Sequence, residues 1–472
     1  MAAVSGNKPH VLAVPLPAQG HVKPLMSLCR QIAKHGIKVT FVNAQSIHHK
    51  IFSASAAEEE DDNDSDANIV MTAVPDGLSP EHDPNNPFTL FETLPKTMPQ
   101  TLPELIERIN GDNPDQKISC VIADLSFGWV SEIAQKMGAE FVGFSTPSFA
   151  SFAILLHIPN LIQQGYLDTN GSPERSDMIR LSDEIAGWRN NEFPWSFPGD
   201  LKHQKIIFHC VQSYKAADKA NCLLSNTCYE LEPAACDLHP NILPVGPLHL
   251  VEAAKTPEKS RSNSGNFYAQ DTSCLIWLDT KPSGSVVYVS FGSFAVSYEQ
   301  QQLDELALGL ELSGRPFLWV VKRDIANGPH AEFPDGFLER VAGFGKIVEW
   351  APQDDVLSHP AVACFVSHCG WNSTLEGVSK GVSYLCWPYF SDQVHNESYI
   401  CDKWEIGLRI DCDENGIRSR YEIKKKIDMV LSESRFKENA LKLKETCAKS
   451  VAEGGSSYKN LMTFIDHLKE SA

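Results

Sequence analysis

The sequence predicts an α/β protein built as two doubly wound halves, each a parallel sheet with helices on both faces. Three observations carry that expectation. Strand-like apolar runs alternate with helical periodicity from the N-terminus, the alternation breaks once near the middle, and it then resumes. At 472 residues the chain has room for two or three domains.

The first forty residues form one strand–helix–strand unit. HVLAVPL is an apolar strand and PAQGH a loop. KPLMSLCRQIAKHG is a helix, with Leu25, Leu28 and Ile32 at helical spacing and Gly36 suited to the C-terminal cap. KVTFVNA, SCVIAD (119–124) and EFVGFS (140–145) are further strands. The acidic run EEEDDNDSD (58–66) has no apolar partners and reads as a solvated loop. Residues 75–103, rich in Pro and Thr, read as irregular, and 151–215 as helices and loops that build a substrate wall. Pro, Gly, Ser and charged residues dominate 244–270, which suits a linker. Beyond it SVVYVSFGS, FLWVV, KIVEW, ACFVSH and SYLCW are strands, and Ser297 with Gln300 fits a capping box that opens a helix. In the last helix, YKNLMTFIDHLKES, Leu461, Phe464, Ile465 and Leu468 share a face that must dock. The expected division is 1–243, a linker 244–270, a second half 271–455 and a C-terminal helix 456–472.

The composition, 42% hydrophobic and 21% charged, is that of a soluble globular protein, and no apolar run reaches the ~20 residues of a membrane span. VLAVPL is short, contains Pro15 and lacks a basic leader, so the expected location is the cytosol. Thirteen cysteines, an odd number with no CxxC pair, read as buried thiols in a reducing compartment. A net charge of −19 argues against non-specific nucleic-acid binding. It also requires that any phosphate be held by local donors against the overall field.

Ligands of doubly wound sheets sit beyond the carboxyl ends of the strands, so the residues there matter most. After the first strand comes PAQGHVKP, with His21 where a helix begins. A helix N-terminus disfavours the imidazolium, so His21 reads as a neutral base or as a capping, solvent-facing histidine. Asp124 ends VIAD and reads as the partner that fixes an imidazole tautomer or as an ordinary cap. Ser293 follows VSFG, and Trp350 is followed by a Pro-fixed turn that could present its ring to a flat ligand. In HCGWNSTLEG (368–377), Ser373 and Glu376 fit a capping box, which leaves His368, Gly370 and Asn372 unexplained. A glycine turn that enters a helix N-terminus is an anion site. Gly377-Val-Ser379-Lys-Gly381 matches G-x-S-x-G but falls at a helix's end rather than at a strand-to-helix turn. His359, Cys364, His368 and Cys369 have no zinc-finger spacing, and no G-x-G-x-x-G or Walker loop follows a strand.

Residues 350–393, WAPQDDVLSHPAVACFVSHCGWNSTLEGVSKGVSYLCWPYFSDQ, resemble throughout the signature box of plant UDP-dependent glycosyltransferases. GHVKP at 20–24, VIAD and SFGS extend the resemblance through most of the chain. It implies the GT-B fold, two Rossmann-like domains facing across a cleft, with the last helix returning to the N-terminal half. Carried over by position, it implies that Trp350 stacks on uracil and Ala351 binds its edge, and that Gln353 and Glu376 bond the ribose. His368, Asn372, Ser373 and Ser293, with Gly370 in their turn, would hold the diphosphate. Trp371, Asp392, Gln393 and Thr146 would address the sugar. His21 would be the base, oriented by Asp124. Gln393 is similar to the residue associated with glucose donors. Ser383 stands where the family usually has proline.

The activity so implied is inverting O-glucosyl transfer from UDP-glucose to a small lipophilic hydroxylated metabolite of phenylpropanoid, flavonoid or terpenoid type, in a monomer and without a metal or other cofactor. A non-catalytic UDP-sugar binder is the alternative. Phe88, Phe91, Phe127, Phe149, Phe152, Trp195 and Phe197 are candidates for the acceptor pocket or, equally, for core.

Overall fold

The structure is a computed structural model. It describes residues 8–55, 67–79, 82, 87–197, 199–253, 267–268, 270–293, 300–321 and 332–471. The acidic run 58–66 and Ser297 lie outside these residues.

The chain divides into two compact units, 1–268 with 448–472, and 269–447. In the first unit β1 (His10–Val14), β2 (Lys38–Ala44), β3 (Ile69–Val74), β4 (Cys120–Asp124), β5 (Glu140–Ser145), β6 (Cys222–Ser225) and β7 (Ile242–Pro244) form a parallel sheet ordered β3-β2-β1-β4-β5-β6-β7. The central strands β1 and β4 are buried on both faces, as parallel strands under helices must be. The second unit repeats the scheme with β8 (Val286–Ser290), β9 (Phe317–Val320), β10 (Gly345–Val348), β11 (Val362–Ser367), β12 (Ser383–Cys386) and β13 (Gly407–Arg409), ordered β10-β9-β8-β11-β12-β13. Each sheet starts in its middle, winds one way, and crosses back to wind the other. The crevices at β1/β4 and β8/β11 are therefore the switch points where doubly wound sheets bind ligands.

The core of the second unit is built by apolar positions at helical spacing. Leu303, Leu306 and Leu310 on the helix Gln300–Ser313 and Ile423, Ile427 and Val430 on the helix Arg420–Ser432 are all buried against the sheet. Each such side chain contributes about 1.5–3 kcal/mol. Leu461, Phe464, Ile465 and Leu468 are buried on the helix Ser456–Glu470, which docks in the first unit. There Asn460 Nδ2 donates to the Pro244 carbonyl at 2.9 Å. No helix among the described residues is long and apolar enough to cross a membrane.

Three expectations change. The stretch 75–103 is not irregular from residue 87 on, because the helix Pro87–Asp112 runs through Pro95, Pro99 and Pro103. A proline every fourth residue puts the missing donors and ring clashes along one edge of the helix. Leu90, Leu94, Met98 and Leu102, spaced the same way, bury a neighbouring stripe that holds the helix together. The segment 244–270 is not a free linker at its ends. The helix Leu248–Ala253 packs on the helix Gln19–Lys34, and the Phe267 amide donates to Gln19 Oε1 at 2.9 Å. The helix Leu248–Ala253 and Phe267 therefore belong to the first unit, and the second begins at 269. The second unit stops at 447, inside the helix Ser434–Val451, rather than at 455.

Candidate active site

In the first unit the chemistry gathers at the β1/β4 switch point. The chain leaves β1, turns, and enters the helix Gln19–Lys34, so His21 sits in its first turn. Asp124 is the last residue of β4 and is 1% exposed. His21 Nδ1 lies 2.6 Å from Asp124 Oδ2. An ionised carboxylate only accepts, so Nδ1 carries the proton and Nε2 keeps its lone pair. Asp124 Oδ1 accepts the Ser126 amide at 2.9 Å. Asp124 is thus both a cap and a partner of His21, one oxygen for each. Thr146, just past β5, places its hydroxyl 2.9 Å from the same Nδ1. This contact was not legible from spacing, because it joins residues 125 apart.

In the second unit the β8/β11 switch point holds a cradle around His368. A Cβ built on Gly292 would lie 2.6 Å from His368 Nε2, and one on Gly370 2.4 Å. Both glycines are required by this close approach, and Gly292 also has φ +79°. Burial pushes the His368 imidazole down to about 4, with Glu376 and the Ser290 backbone pulling weakly the other way. His368 is therefore a neutral hydrogen-bonding group at pH 7. The turn passes through Cys369 in the left-handed region (φ 65°), a conformation that costs a non-glycine residue about 1–3 kcal/mol. Buried Cys369 is held there by Ser367 Oγ at 3.1 Å and, through its carbonyl, by Asn396 Nδ2 at 2.9 Å.

The helix Trp371–Lys380 starts at Gly370, and its first internal bond runs from Thr374 N to the Gly370 carbonyl. The capping box expected of Ser373 and Glu376 does not form, because both lie inside the helix. Gln353 joins them instead. Its Nε2 donates to Glu376 Oε2 at 2.6 Å and to Ser373 Oγ at 2.9 Å, and its Oε1 accepts from Tyr288 at 3.1 Å. Tyr288 escaped sequence reasoning because it looks like any apolar strand residue.

The G-x-S-x-G match dissolves here. Gly381 is the left-handed cap that ends the helix, and a Cβ on Gly377 would lie 2.1 Å from the Tyr384 hydroxyl. Ser379 is buried. His359 faces Asp279 at 3.2 Å and Cys364 is buried in β11, so neither converges with His368 and Cys369.

The other candidates are placed as follows. Ser293 follows β8 and is half-buried, as is Trp350 after β10, whose carbonyl accepts the Asp271 amide at 2.9 Å. Ala351 is buried beside it. Trp371 is buried, with its ring 6.3 Å from that of Trp404. Asn372 is half-buried. Asp392 accepts from Asn396 Nδ2 at 3.0 Å, and Gln393 Oε1 accepts the Tyr389 amide at 2.9 Å.

The aromatic candidates divide. Phe127, Phe149, Phe152 and Trp195 are at most 1% exposed and are core. Trp195 stacks on Phe193 and donates to the Gly171 carbonyl at 2.8 Å. Phe88 is also buried, at 8% exposure, and only Phe91 and Phe197 of these candidates are half-buried.

Comparison with known proteins fits this architecture. A family profile described as UDP-glucoronosyl and UDP-glucosyl transferase matches residues 211–448, and one for a glycosyltransferase N-terminal domain matches 7–172. UDP-glycosyltransferase 83A1 of Arabidopsis thaliana is 42% identical over 98% of this chain and 97% of its own. Two solved structures share the fold. A UDP-glucose:anthocyanidin 3-O-glucosyltransferase in complex with UDP is 26% identical, with TM-score 0.79 over 99% of this chain and all of its own. Os79 from O. sativa, in complex with UDP, is 25% identical, with TM-score 0.77 over 97% of this chain and all of its own. Two Rossmann-like units, an imidazole–carboxylate pair and relatives matched end to end converge on one assignment: the chain belongs to the plant UDP-glycosyltransferases, members of the UDP-glucoronosyl and UDP-glucosyl transferase family.

Proposed function

We propose that this UDP-glycosyltransferase is an inverting, metal-independent O-glucosyltransferase that uses UDP-glucose and acts in the cytosol on a hydroxyl of a small lipophilic metabolite. The observation that carries the reading is the 2.6 Å contact between His21 Nδ1 and Asp124. It leaves Nε2 as a lone pair that removes the acceptor's proton while the oxygen attacks the anomeric carbon from the face opposite UDP. Asp124 then offsets the imidazolium charge. The carbon–oxygen bond to the diphosphate breaks, and UDP leaves with the electron pair. His368, Asn372, Ser373, Ser293 and the turn at Gly370 hold the diphosphate. Neutral His368 and the N-terminus of the helix Trp371–Lys380 meet its growing charge with hydrogen bonds and a dipole. Trp350 and Ala351 take uracil, and Gln353 and Glu376 take the ribose as a pair already hydrogen-bonded to each other. Trp371, Asp392, Gln393 and Thr146 address the sugar. Glucose is favoured by Gln393 and by the solved relative named for UDP-glucose. Thirteen cysteines that form no disulfide fit a reducing compartment. The acceptor is of phenylpropanoid, flavonoid or terpenoid type, and the protein acts as a monomer.

The test is a mass-spectrometric acceptor screen with UDP-glucose and UDP-galactose side by side, with UDP release followed in parallel. Release of UDP only when an acceptor is present, with a β-glucoside as product, is the expected result. UDP-sugar binding with no product from any hydroxylated acceptor returns the reading to a non-catalytic binder.

A further inference from the structure

Asn396 is a fully buried amide in the second unit, on the helix Gln393–Ser398 that follows Asp392. Its Nδ2 donates to the Cys369 carbonyl at 2.9 Å and to Asp392 Oδ2 at 3.0 Å. A carbonyl and a carboxylate only accept, so both amide hydrogens are committed and the nitrogen is the atom that faces them. Its Oδ1 is buried and makes no hydrogen bond among the described residues. An unmet acceptor in a core costs stability, so packing gives no reason to keep an amide at this position. The two donated bonds give one.

The first bond aims a backbone amide. The Cys369 carbonyl and the Gly370 N–H belong to one planar trans peptide and point in opposite directions. Holding the carbonyl toward Asn396 therefore turns the Gly370 N–H the other way. Gly370 is the cap residue of the helix Trp371–Lys380, and its N–H is among the amides that a helix start leaves without an internal partner. The anchor matters because Cys369 sits at φ 65°, a region that side chains disfavour, so a released peptide would turn out of it.

The second bond aims a side chain. Asp392 is the cap residue of the helix Gln393–Ser398, yet its carboxylate makes no capping bond to the first turn. A capping aspartate ordinarily turns back onto those amides. Here Asn396, one helical turn on, draws Oδ2 along the helix instead. A single buried amide thus fixes the direction of two groups that belong to different elements, the turn after β11 and the start of the helix Gln393–Ser398.

We propose that Asn396 is a positioning residue that sets the Gly370 amide and the Asp392 carboxylate as one piece, and that it thereby tunes selectivity between the sugar nucleotide and free UDP. The inference rests on the reading in which the turn at Gly370 takes the diphosphate and Asp392 takes the sugar. Loss of the first bond weakens every diphosphate ligand. Loss of the second weakens only a ligand that carries a sugar.

The test is calorimetric titration of the full chain with UDP and with UDP-glucose, without acceptor. Asn396→Ala removes both donors and adds no charge. It should lower UDP affinity about tenfold and UDP-glucose affinity about thirtyfold. In an Asp392→Ala background the same change should cost both ligands one equal factor. An amide with a merely structural role would weaken both ligands alike in either background. Where Asn396→Ala does not fold, Asn396→Ser, which keeps one donor, carries the same comparison. Unchanged UDP affinity, an equal loss for both ligands with Asp392 present, or a sugar-specific loss that survives Asp392→Ala overturns the proposal. Wild type that binds neither ligand overturns the donor-site reading instead. Wild type that binds both, with the variants unaltered, leaves that reading standing without Asn396.

Discussion

The two switch points are built alike and used oppositely. At β1/β4 the first unit places an ionisable pair, His21 and Asp124, whose Nδ1–carboxylate contact leaves Nε2 with its lone pair. At β8/β11 the second unit places a histidine as well, but glycines crowd His368 and burial holds it neutral. One imidazole is oriented by a carboxylate at 2.6 Å, and the other is kept from charging by burial. On the proposed reading, the same side chain at equivalent ends of two like sheets serves as a base in one and as a neutral hydrogen-bonding group for the diphosphate in the other. The surroundings, not the residue type, set the role.

Changes at each histidine break this contrast in different ways. The largest effect is expected from His21→Ala: steady-state kcat should fall about 10²–10⁴-fold, with UDP affinity by calorimetry unchanged. Full activity on an alcohol acceptor would remove His21 from the mechanism. Next is Gly370→Ala, whose methyl meets His368 Nε2 at 2.4 Å. Overpacking of this kind costs about 1–3 kcal/mol, which should appear as weakened UDP binding while acceptor binding is spared. A pH effect follows. The folded His368 titrates near 4 against 6.5 for a free imidazole, so the unfolded chain takes up the proton first. Stability is full above pH 6.5 and falls toward pH 4, by up to about 1.4 kcal/mol per pH unit. Denaturant melts at pH 7 and pH 5 should show this slope shrinking in His368→Gln. The smallest effect belongs to Glu376→Gln, which weakens a 2.6 Å charge-assisted bond to Gln353 and should cost about 1 kcal/mol in UDP affinity. An unchanged affinity with a lowered melting temperature would make Glu376 a structural residue.

Much of this was legible in the sequence where residues close in the chain act together. The strand ends, His21 at a helix start, and the glycine turn before Trp371 all lie within a few residues of a periodicity change, so local pattern located them. Contacts across the sheet were not legible. Thr146 meets His21 across 125 positions and Tyr288 meets Gln353 across 65, and no local period encodes such pairs. The capping box failed for a related reason. Ser373 and Glu376 have the right spacing, but Gly370 opens the helix three residues earlier, and Gln353 takes both side chains. The prolines at 95, 99 and 103 misled in the other direction, since local propensity argued against a helix that a buried leucine stripe sustains.

The course of the chain has a consequence for how the molecule comes into being. The first unit contains residues from before and after the second, which is inserted within it. On the ribosome the first unit is begun first and finished last: its sheet emerges early, but Leu461, Phe464, Ile465 and Leu468 arrive only after the whole second unit has been made. Until then the surface that will receive them is bare and apolar. A premature stop past residue 447 would leave the inserted unit whole and wound the one that encloses it.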